Sequence, residues 1–136
     1  ASAEARVRSR RGASGVRVRP EESVQCVNMG FMLLDCGIPT LGARHRRLYC
    51  CRKGMTTPEG VGRPGGRFYA CVYMLDAQHG RDRGPMDPEC DCILCRRYSR
   101  AYLHHLFKVG DSQAYRLATA HNLRFYARLM ELIRNE

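Results

Sequence analysis

Apolar residues recur at three- and four-residue intervals through the last third of the chain, and this period predicts two helices. The first covers residues 96 to 109, and the second extends from about residue 112 to 134. Gly110 between them favours a helix end, while Asp111 or Ser112 can cap the second helix. A connection this short predicts an antiparallel helical hairpin. Its second helix carries a four-residue series: Leu117, His121, Phe125, Leu129 and Ile133.

A helix followed by a strand is predicted nearer the start of the chain. Pro20 with Glu21 and Glu22 is typical of a helix beginning, since proline suits the first turn and carboxylates face the positive end of the helix dipole. Gly30 closes this helix. The run from 31 to 34 is short and wholly apolar, as in a strand buried on both faces of a parallel sheet, and it ends at Asp35.

The remaining segments show little apolar periodicity. Residues 1 to 19 mix Arg, Ser, Ala and Gly, which predicts a poorly ordered basic arm. Residues 41 to 85 contain scattered Gly, Pro and Arg, and we expect loops there, with only residues 68 to 75 resembling a strand.

Length and charge limit the possible functions. With 136 residues the chain forms one domain and cannot close a (β/α)₈ barrel, which takes about 250 residues. The net charge of +10 favours a polyanionic partner such as nucleic acid. That charge is concentrated in residues 1 to 19, with six Arg and one Glu, and in residues 44 to 85, with nine basic and three acidic residues.

The chain shows no membrane or export signal, so we expect a cytoplasmic protein. Its longest apolar run is far shorter than the roughly 18 residues of a membrane span. The Arg-rich start lacks the apolar stretch of a secretory signal. In a reducing compartment, eight cysteines indicate thiols or metal ligation rather than disulfides.

Three cysteines within six residues indicate a metal site: Cys90, Cys92 and Cys95. A closed tetrahedral zinc site needs a fourth ligand. In the predicted hairpin, His121 lies about 9 Å of helix from Cys95, whereas His104 and His105 lie about 14 Å away. His121 is therefore the nearest donor, and a site with four protein ligands is structural. The alternatives are a redox pair formed by Cys92 and Cys95, or plain buried thiols.

Asp35 is a candidate catalytic residue because it follows a predicted parallel strand. Barrel enzymes place their chemistry at the carboxyl ends of such strands. A carboxylate there can attack an anomeric carbon and form a covalent glycosyl-enzyme. The local sequence also fits a simple turn residue before Gly37 and Pro39.

Two segments resemble tRNA-guanine transglycosylase (queuine tRNA-ribosyltransferase), which exchanges the wobble guanine of certain tRNAs for a 7-deazaguanine. The specific one is MDPECDCILCRRYSRAYLHHL from residue 86, with HNLRFY from residue 121. The other is PEE from residue 20 with GFMLLDCGIPT from residue 30. The resemblance implies structural zinc held by Cys90, Cys92, Cys95 and His121. It also implies that Asp35 is the nucleophile, with tRNA contacts at Arg19, Glu21, Thr40 and Arg44.

The resemblance further implies an α/β fold, the C-terminal portion of a (β/α)₈ barrel with a zinc-binding helical subdomain, the barrel being incomplete in this chain. Within it we distinguish a basic arm at 1 to 19, a helix–strand segment with the nucleophile at 20 to 44, an irregular segment unlike the family at 45 to 85, and a zinc-binding hairpin at 86 to 136. Residue 41 departs from the family pattern, with Leu in place of Arg.

Three interpretations of function follow. The first is a cytoplasmic tRNA-guanine transglycosylase, homodimeric when intact, that forms a covalent Asp-ribosyl intermediate. The second is a non-catalytic, zinc-stabilised module that binds tRNA or a partner subunit. The third is an unstable remnant without activity. We expect this chain alone to be inactive, because the groups that hold the incoming base lie outside it.

Overall fold

The computed structural model describes residues 18–31, 33–52 and 68–134. Residues 1 to 17 of the arm predicted over 1 to 19, and residues 53 to 67 of the segment from 45 to 85, lie outside the described residues. No helix in the described ranges is long and apolar enough to cross a membrane. Besides a 3₁₀ helix at Ala77–Arg81, the elements in chain order are α1 (Pro20–Asn28), α2 (Ile38–Arg44), β1 (Arg47–Cys51), β2 (Tyr69–Tyr73), α3 (Ile93–Arg97), α4 (Arg100–Val109) and α5 (Ser112–Arg134).

Helix α1 begins and ends where its sequence predicts. The backbone N–H of Arg19 donates to Glu22 Oε2 at 2.7 Å, which satisfies a donor just before the helix. The chain leaves the helix through Gly30, whose φ of 89° lies in the left-handed region that glycine adopts readily. Val18, assigned to the poorly ordered arm, is instead buried, and its carbonyl accepts hydrogen bonds from Cys36 and Tyr126.

The predicted buried strand at 31 to 34 is wrong for the described residues. Leu33 is 72% exposed, and Leu34 forms only an isolated bridge. A strand buried on both faces needs neighbouring strands and covering helices, which the described residues do not place around this segment. Of the described residues in this run, Leu33 is exposed, and Phe31 and Leu34 are only half-buried.

The loops predicted for residues 41 to 85 are also wrong in part. Strands β1 and β2 pair antiparallel, with Arg47 opposite Tyr73 and Tyr49 opposite Cys71. The strand resemblance of residues 68 to 75 is confirmed by β2. In β1 the buried positions alternate with more exposed ones, because successive side chains point to opposite faces of a strand.

The first helix of the predicted hairpin is divided in two. Tyr98 adopts an extended backbone conformation, and the Ser99 side chain accepts a hydrogen bond from the N–H of Tyr102, so that α4 begins afresh after α3. Gly110 ends α4 with a left-handed φ of 73°, as the sequence predicts. Helix α5 then packs against α4, which confirms the hairpin.

Helix α5 joins two apolar clusters. Its first half contributes Ala114, Leu117 and Ala118 to the cluster that also contains Leu48, Leu103 and Phe107. Its second half contributes Phe125, Leu129 and Ile133 to the cluster around Val24, Ile38 and Phe68. Between the two halves lie His121 and Asn122, both completely buried, so the polar centre of the fold sits at the junction of its two cores.

Candidate metal centre

The three clustered cysteines form a tight turn at the beginning of α3. The Sγ of Cys92 accepts the backbone N–H of Cys95 at 3.5 Å, as a capping side chain does, and the Sγ of Cys90 accepts the N–H of Cys92 at 3.5 Å. The buried Leu94 pulls this short helix against the core, while Ile93 faces solvent. The turn therefore directs all three sulfur atoms toward α5.

His121 of α5 completes the cluster. Its Nδ1 lies 3.3 Å from the Sγ of Cys92 and 3.3 Å from that of Cys95. The four ligand atoms of Cys90, Cys92, Cys95 and His121 all lie within 4.8 Å of one another. A tetrahedral Zn²⁺ with ordinary Zn–S and Zn–N bonds separates sulfur from nitrogen by about 3.6 Å. Donor chemistry and spacing both fit zinc, and the prediction of these four ligands is confirmed.

The imidazole of His121 is held in the tautomer that a metal needs. Its Nε2 lies 2.7 Å from the carbonyl oxygen of Tyr49 in β1. A carbonyl only accepts, so Nε2 carries the proton and Nδ1 keeps a free lone pair toward the sulfur atoms. Such a hydrogen bond from the outer nitrogen is usual for a metal-bound histidine, and it fixes the orientation of the ring.

The thiols of the cluster differ electrostatically from ordinary buried cysteines. Burial raises the pKa of Cys50 and of Cys51 to about 12, which keeps both protonated. In the cluster, hydrogen bonds with Cys90 and Cys95 hold the pKa of Cys92 far below its usual value. Hydrogen bonds with Cys90 and Cys92 raise the pKa of Cys95. A divalent cation bound there would supply the positive charge that stabilises several thiolates together.

Asp87 anchors the cysteine turn to the sheet. This carboxylate is 98% buried, and its Oδ2 accepts the backbone N–H of Cys51 at 2.9 Å while Oδ1 accepts that of Glu89 at 2.9 Å. Its own carbonyl accepts the N–H of Cys90 at 3.2 Å. The side chain and backbone carbonyl of Asp87 together therefore fix the turn that carries the first ligand.

An exposed ion pair also ties the turn to α5. Arg124 contacts both carboxylate oxygens of Asp91, at 2.6 and 3.3 Å, and donates to Glu131 at 3.1 Å. The guanidinium of Arg124 hydrogen-bonds the Asp91 carboxylate and thereby lowers its pKa. Arg96 and Arg97, which follow the ligand Cys95 directly, are both solvent-exposed.

The other two candidate histidines, His104 and His105, do not reach the cluster, as predicted. His104 is buried, and its Nδ1 donates to the carbonyl of Met74 at 2.6 Å. His105, the next residue of α4, is exposed to solvent. Neither belongs to the group of potential ligands found in the described residues.

The remaining predicted site residues lie on α1, on α2 and beside them. Asp35, Arg19 and Arg44 are exposed. Glu21 accepts a hydrogen bond from the hydroxyl of Tyr69 at 2.7 Å, and Thr40 donates to the carbonyl of Gly37 at 3.0 Å. None of the five belongs to the metal cluster.

Two residues that the sequence did not single out hold this centre together. Tyr49 accepts from His121, and its N–H donates to Asn122 Oδ1 at 3.1 Å. Asn122 also donates to the carbonyls of Pro39 and Arg47, each at 3.0 Å. A polar side chain at a core position of an amphipathic helix is the signal that could have marked Asn122.

Comparisons with known proteins agree with these observations. The family model described as "TGT: Queuine tRNA-ribosyltransferase" matches residues 10–136. The matched range spans residues 45 to 85, the segment that we expected to be unlike the family. A protein of Pseudoalteromonas translucida (strain TAC 125) named queuine tRNA-ribosyltransferase is 44% identical over 117 residues, which are 86% of this chain and 27% of that relative. The chain thus spans about a quarter of the relative's length.

Proposed function

Because the chain belongs to the queuine tRNA-ribosyltransferase family, we propose that it is the zinc-binding part of a tRNA-guanine transglycosylase that exchanges the wobble guanine of tRNA for a 7-deazaguanine. The observation that carries the proposal is the 44% identity over 117 residues, supported by the Cys₃His cluster. Cys90, Cys92, Cys95 and His121 would hold the zinc, which would crosslink the cysteine turn to α5. With four protein ligands, it is structural.

Asp35 is the proposed nucleophile. Its carboxylate attacks C1′ of the wobble nucleotide, the C1′–N9 bond breaks, and guanine leaves with the bonding electrons while an Asp-ribosyl ester forms. The incoming base then attacks C1′ and releases the carboxylate. Two features support this role: Asp35 is exposed, as a group that meets a macromolecular substrate must be, and it lies three residues before α2.

Thr40 and Arg44 are proposed tRNA contacts on α2, together with Glu21 in the first turn of α1 and Arg19 just before it. Thr40 and Arg44 are four residues apart and therefore share a face of α2. The guanidinium groups of Arg19 and Arg44 are exposed and suited to phosphate. The same proposal includes a (β/α)₈ barrel completed by sequence beyond this chain, a homodimer and a cytoplasmic location.

The proposal is tested in a chimera in which this chain replaces the matching part of the Pseudoalteromonas relative. We expect the chimera to exchange radiolabelled guanine into tRNA, and Asp35→Asn to abolish both exchange and the covalent tRNA adduct. Asp76→Asn, a change at another exposed carboxylate, serves as the matched control and retains exchange. Full exchange by the Asp35→Asn chimera would refute the nucleophile, and no exchange by a folded, zinc-loaded chimera would refute the enzyme.

The alternative is a non-catalytic zinc module that binds tRNA or a partner subunit. It is favoured by a cleft of about 540 Å³ lined by Arg83, Arg96 and Arg97. Beside them the rings of Tyr98 and Tyr102 stack, with centroids 5.2 Å apart. Exposed guanidinium groups and aromatic rings are common at interfaces. Binding without exchange in the chimera assay would select this alternative.

A further inference from the structure

We propose that Asn122 is a positioning residue that fixes the substrate-facing helix α2 relative to the metal centre. The inference deepens the proposed function, because it rests on α2 carrying tRNA contacts at Thr40 and Arg44. Asn122 directly follows the ligand His121 on α5 and is completely buried. Its amide spans the chain reversal that separates α2 from β1.

Both the nitrogen and the oxygen of the Asn122 side-chain amide form hydrogen bonds. The two protons on Nδ2 reach the carbonyl oxygens of Pro39 and Arg47, each at 3.0 Å. Oδ1 accepts the N–H of Tyr49 at 3.1 Å. One side chain therefore clamps residues 39 and 47, and no side chain other than an amide or guanidinium offers both donors in this geometry.

The clamp is continuous with the metal site through Tyr49. The N–H of this residue donates to Asn122, and its carbonyl accepts from the Nε2 of His121 at 2.7 Å. The same peptide segment of β1 is thus held by two consecutive residues of α5. His121 holds the carbonyl of Tyr49, Asn122 holds its N–H, and the same Asn122 amide binds the Pro39 carbonyl of α2. A metal held by His121 would further fix the orientation of the ring.

Close packing at Gly42 supports the same relationship. A Cβ added at this glycine would lie 3.3 Å from the carbonyl oxygen of Arg47 and 3.4 Å from Nδ2 of Asn122. The φ of Gly42 is not in the left-handed region. Glycine is therefore needed at this position because a side chain would not fit, and not because the backbone needs glycine's conformational freedom. The absence of a side chain lets α2 approach the amide closely enough to be clamped.

A purely stabilising amide and a positioning amide make different predictions. Asn122→Asp keeps the volume and the acceptor for Tyr49 but removes both donors and places a carboxylate against two carbonyl oxygens. If Asn122 only stabilises the fold, those molecules of the variant that do fold keep α2 in its place. If it positions α2, the folded and metal-loaded protein still loses order at residues 38 to 47.

The test uses the 136-residue chain loaded with Co²⁺, whose absorption reports the Cys₃His ligand field. In Asn122→Asp we expect one Co²⁺ per chain with unchanged bands, together with about tenfold faster amide exchange in residues 38 to 47. Binding of an anticodon stem-loop with a wobble guanine weakens about tenfold as well. Leu123→Ala, a change at the exposed next position of α5, is the matched control and leaves all three readouts unchanged.

A second variant tests the inference if Asn122→Asp does not fold. Gly42→Ala leaves every donor in place and pushes α2 away from Asn122, so it also speeds exchange in residues 38 to 47 while retaining Co²⁺. Unchanged exchange in both folded variants, or loss of Co²⁺ in step with faster exchange, would overturn the inference. If the wild-type chain binds no stem-loop but the exchange result holds, the tRNA contacts proposed for α2 fail and the positioning role stands.

Discussion

The imidazole of His121 is shared between two parts of the fold, with Nδ1 facing the cysteine sulfur atoms and Nε2 donating to the carbonyl of Tyr49 at 2.7 Å. The hydrogen bond selects the tautomer whose lone pair faces the sulfur atoms. The centre therefore links α3, α5 and β1, three elements that are distant in sequence. Loss of the metal should disturb all three.

Removing a cysteine ligand should abolish metal binding. In Cys92→Ser we expect less than one zinc per chain and a large fall in thermal stability, since structural zinc contributes an apparent binding free energy of about 10–16 kcal/mol. Zinc analysis of the purified protein and thermal unfolding with and without a chelator measure both effects. Cys71→Ser alters an exposed cysteine of β2 and should keep zinc. Stoichiometric zinc in Cys92→Ser would contradict the assignment.

Two of the three buried histidines, His121 and His104, should respond differently to truncation. His121→Ala removes a ligand and should lose zinc. His104→Ala should keep zinc and lower the free energy of unfolding by about 1–3 kcal/mol, because it leaves the buried carbonyl of Met74 without its donor. Zinc stoichiometry and urea unfolding separate the two results, and loss of zinc from His104→Ala would show that the histidines are misassigned.

The cap at Ser99 should account for the break between α3 and α4. Ser99→Ala removes the acceptor for the N–H of Tyr102 and should cost about 1 kcal/mol. Ser99→Asp retains a capping oxygen and should stay close to wild type. Urea unfolding of the zinc-loaded chains provides the comparison. Equal stability of Ser99→Ala and wild type would mean that the cap contributes nothing.

Stability should fall at alkaline pH partly through Tyr49. Burial raises the pKa of Tyr49 to about 12 in the folded protein, from about 10 in the unfolded chain. A raised folded pKa means that the unfolded chain releases its proton first, so the stabilisation is complete below pH 10 and is lost as pH rises toward 12. The free energy of unfolding of Tyr49→Phe should therefore decline less steeply across this window. If the free energy of unfolding falls equally steeply with pH in wild type and Tyr49→Phe, Tyr49 does not contribute to the alkaline loss of stability.

Much of the site was predictable because its information is local. Three cysteines within six residues and a histidine on a periodic helix indicate a metal centre from spacing and donor chemistry alone. The hairpin was predictable because its apolar period and the stop at Gly110 act within a few residues. The break at Ser99 was missed because an apolar series on both sides of a cap resembles one uninterrupted helix.

The contacts of β1 were not predictable. Its pairing with β2 joins segments about twenty residues apart, and neither segment alternates apolar and polar residues clearly enough to show it. Leu33 was expected to be buried because an apolar run resembles an interior strand, yet burial depends on what packs against the run. In the described residues little covers it.

By itself, the sequence determined the ligand set, the helical hairpin and, through the family it resembles, the reaction that we propose. These properties depend on residue identity and on spacing within a helix or turn. The tertiary structure decided which nitrogen of His121 faces the metal and which carbonyls Asn122 binds, since both depend on the approach of β1 and α2 to α5. Hydrogen bonds between elements more than seventy residues apart in sequence exist only once the chain has folded.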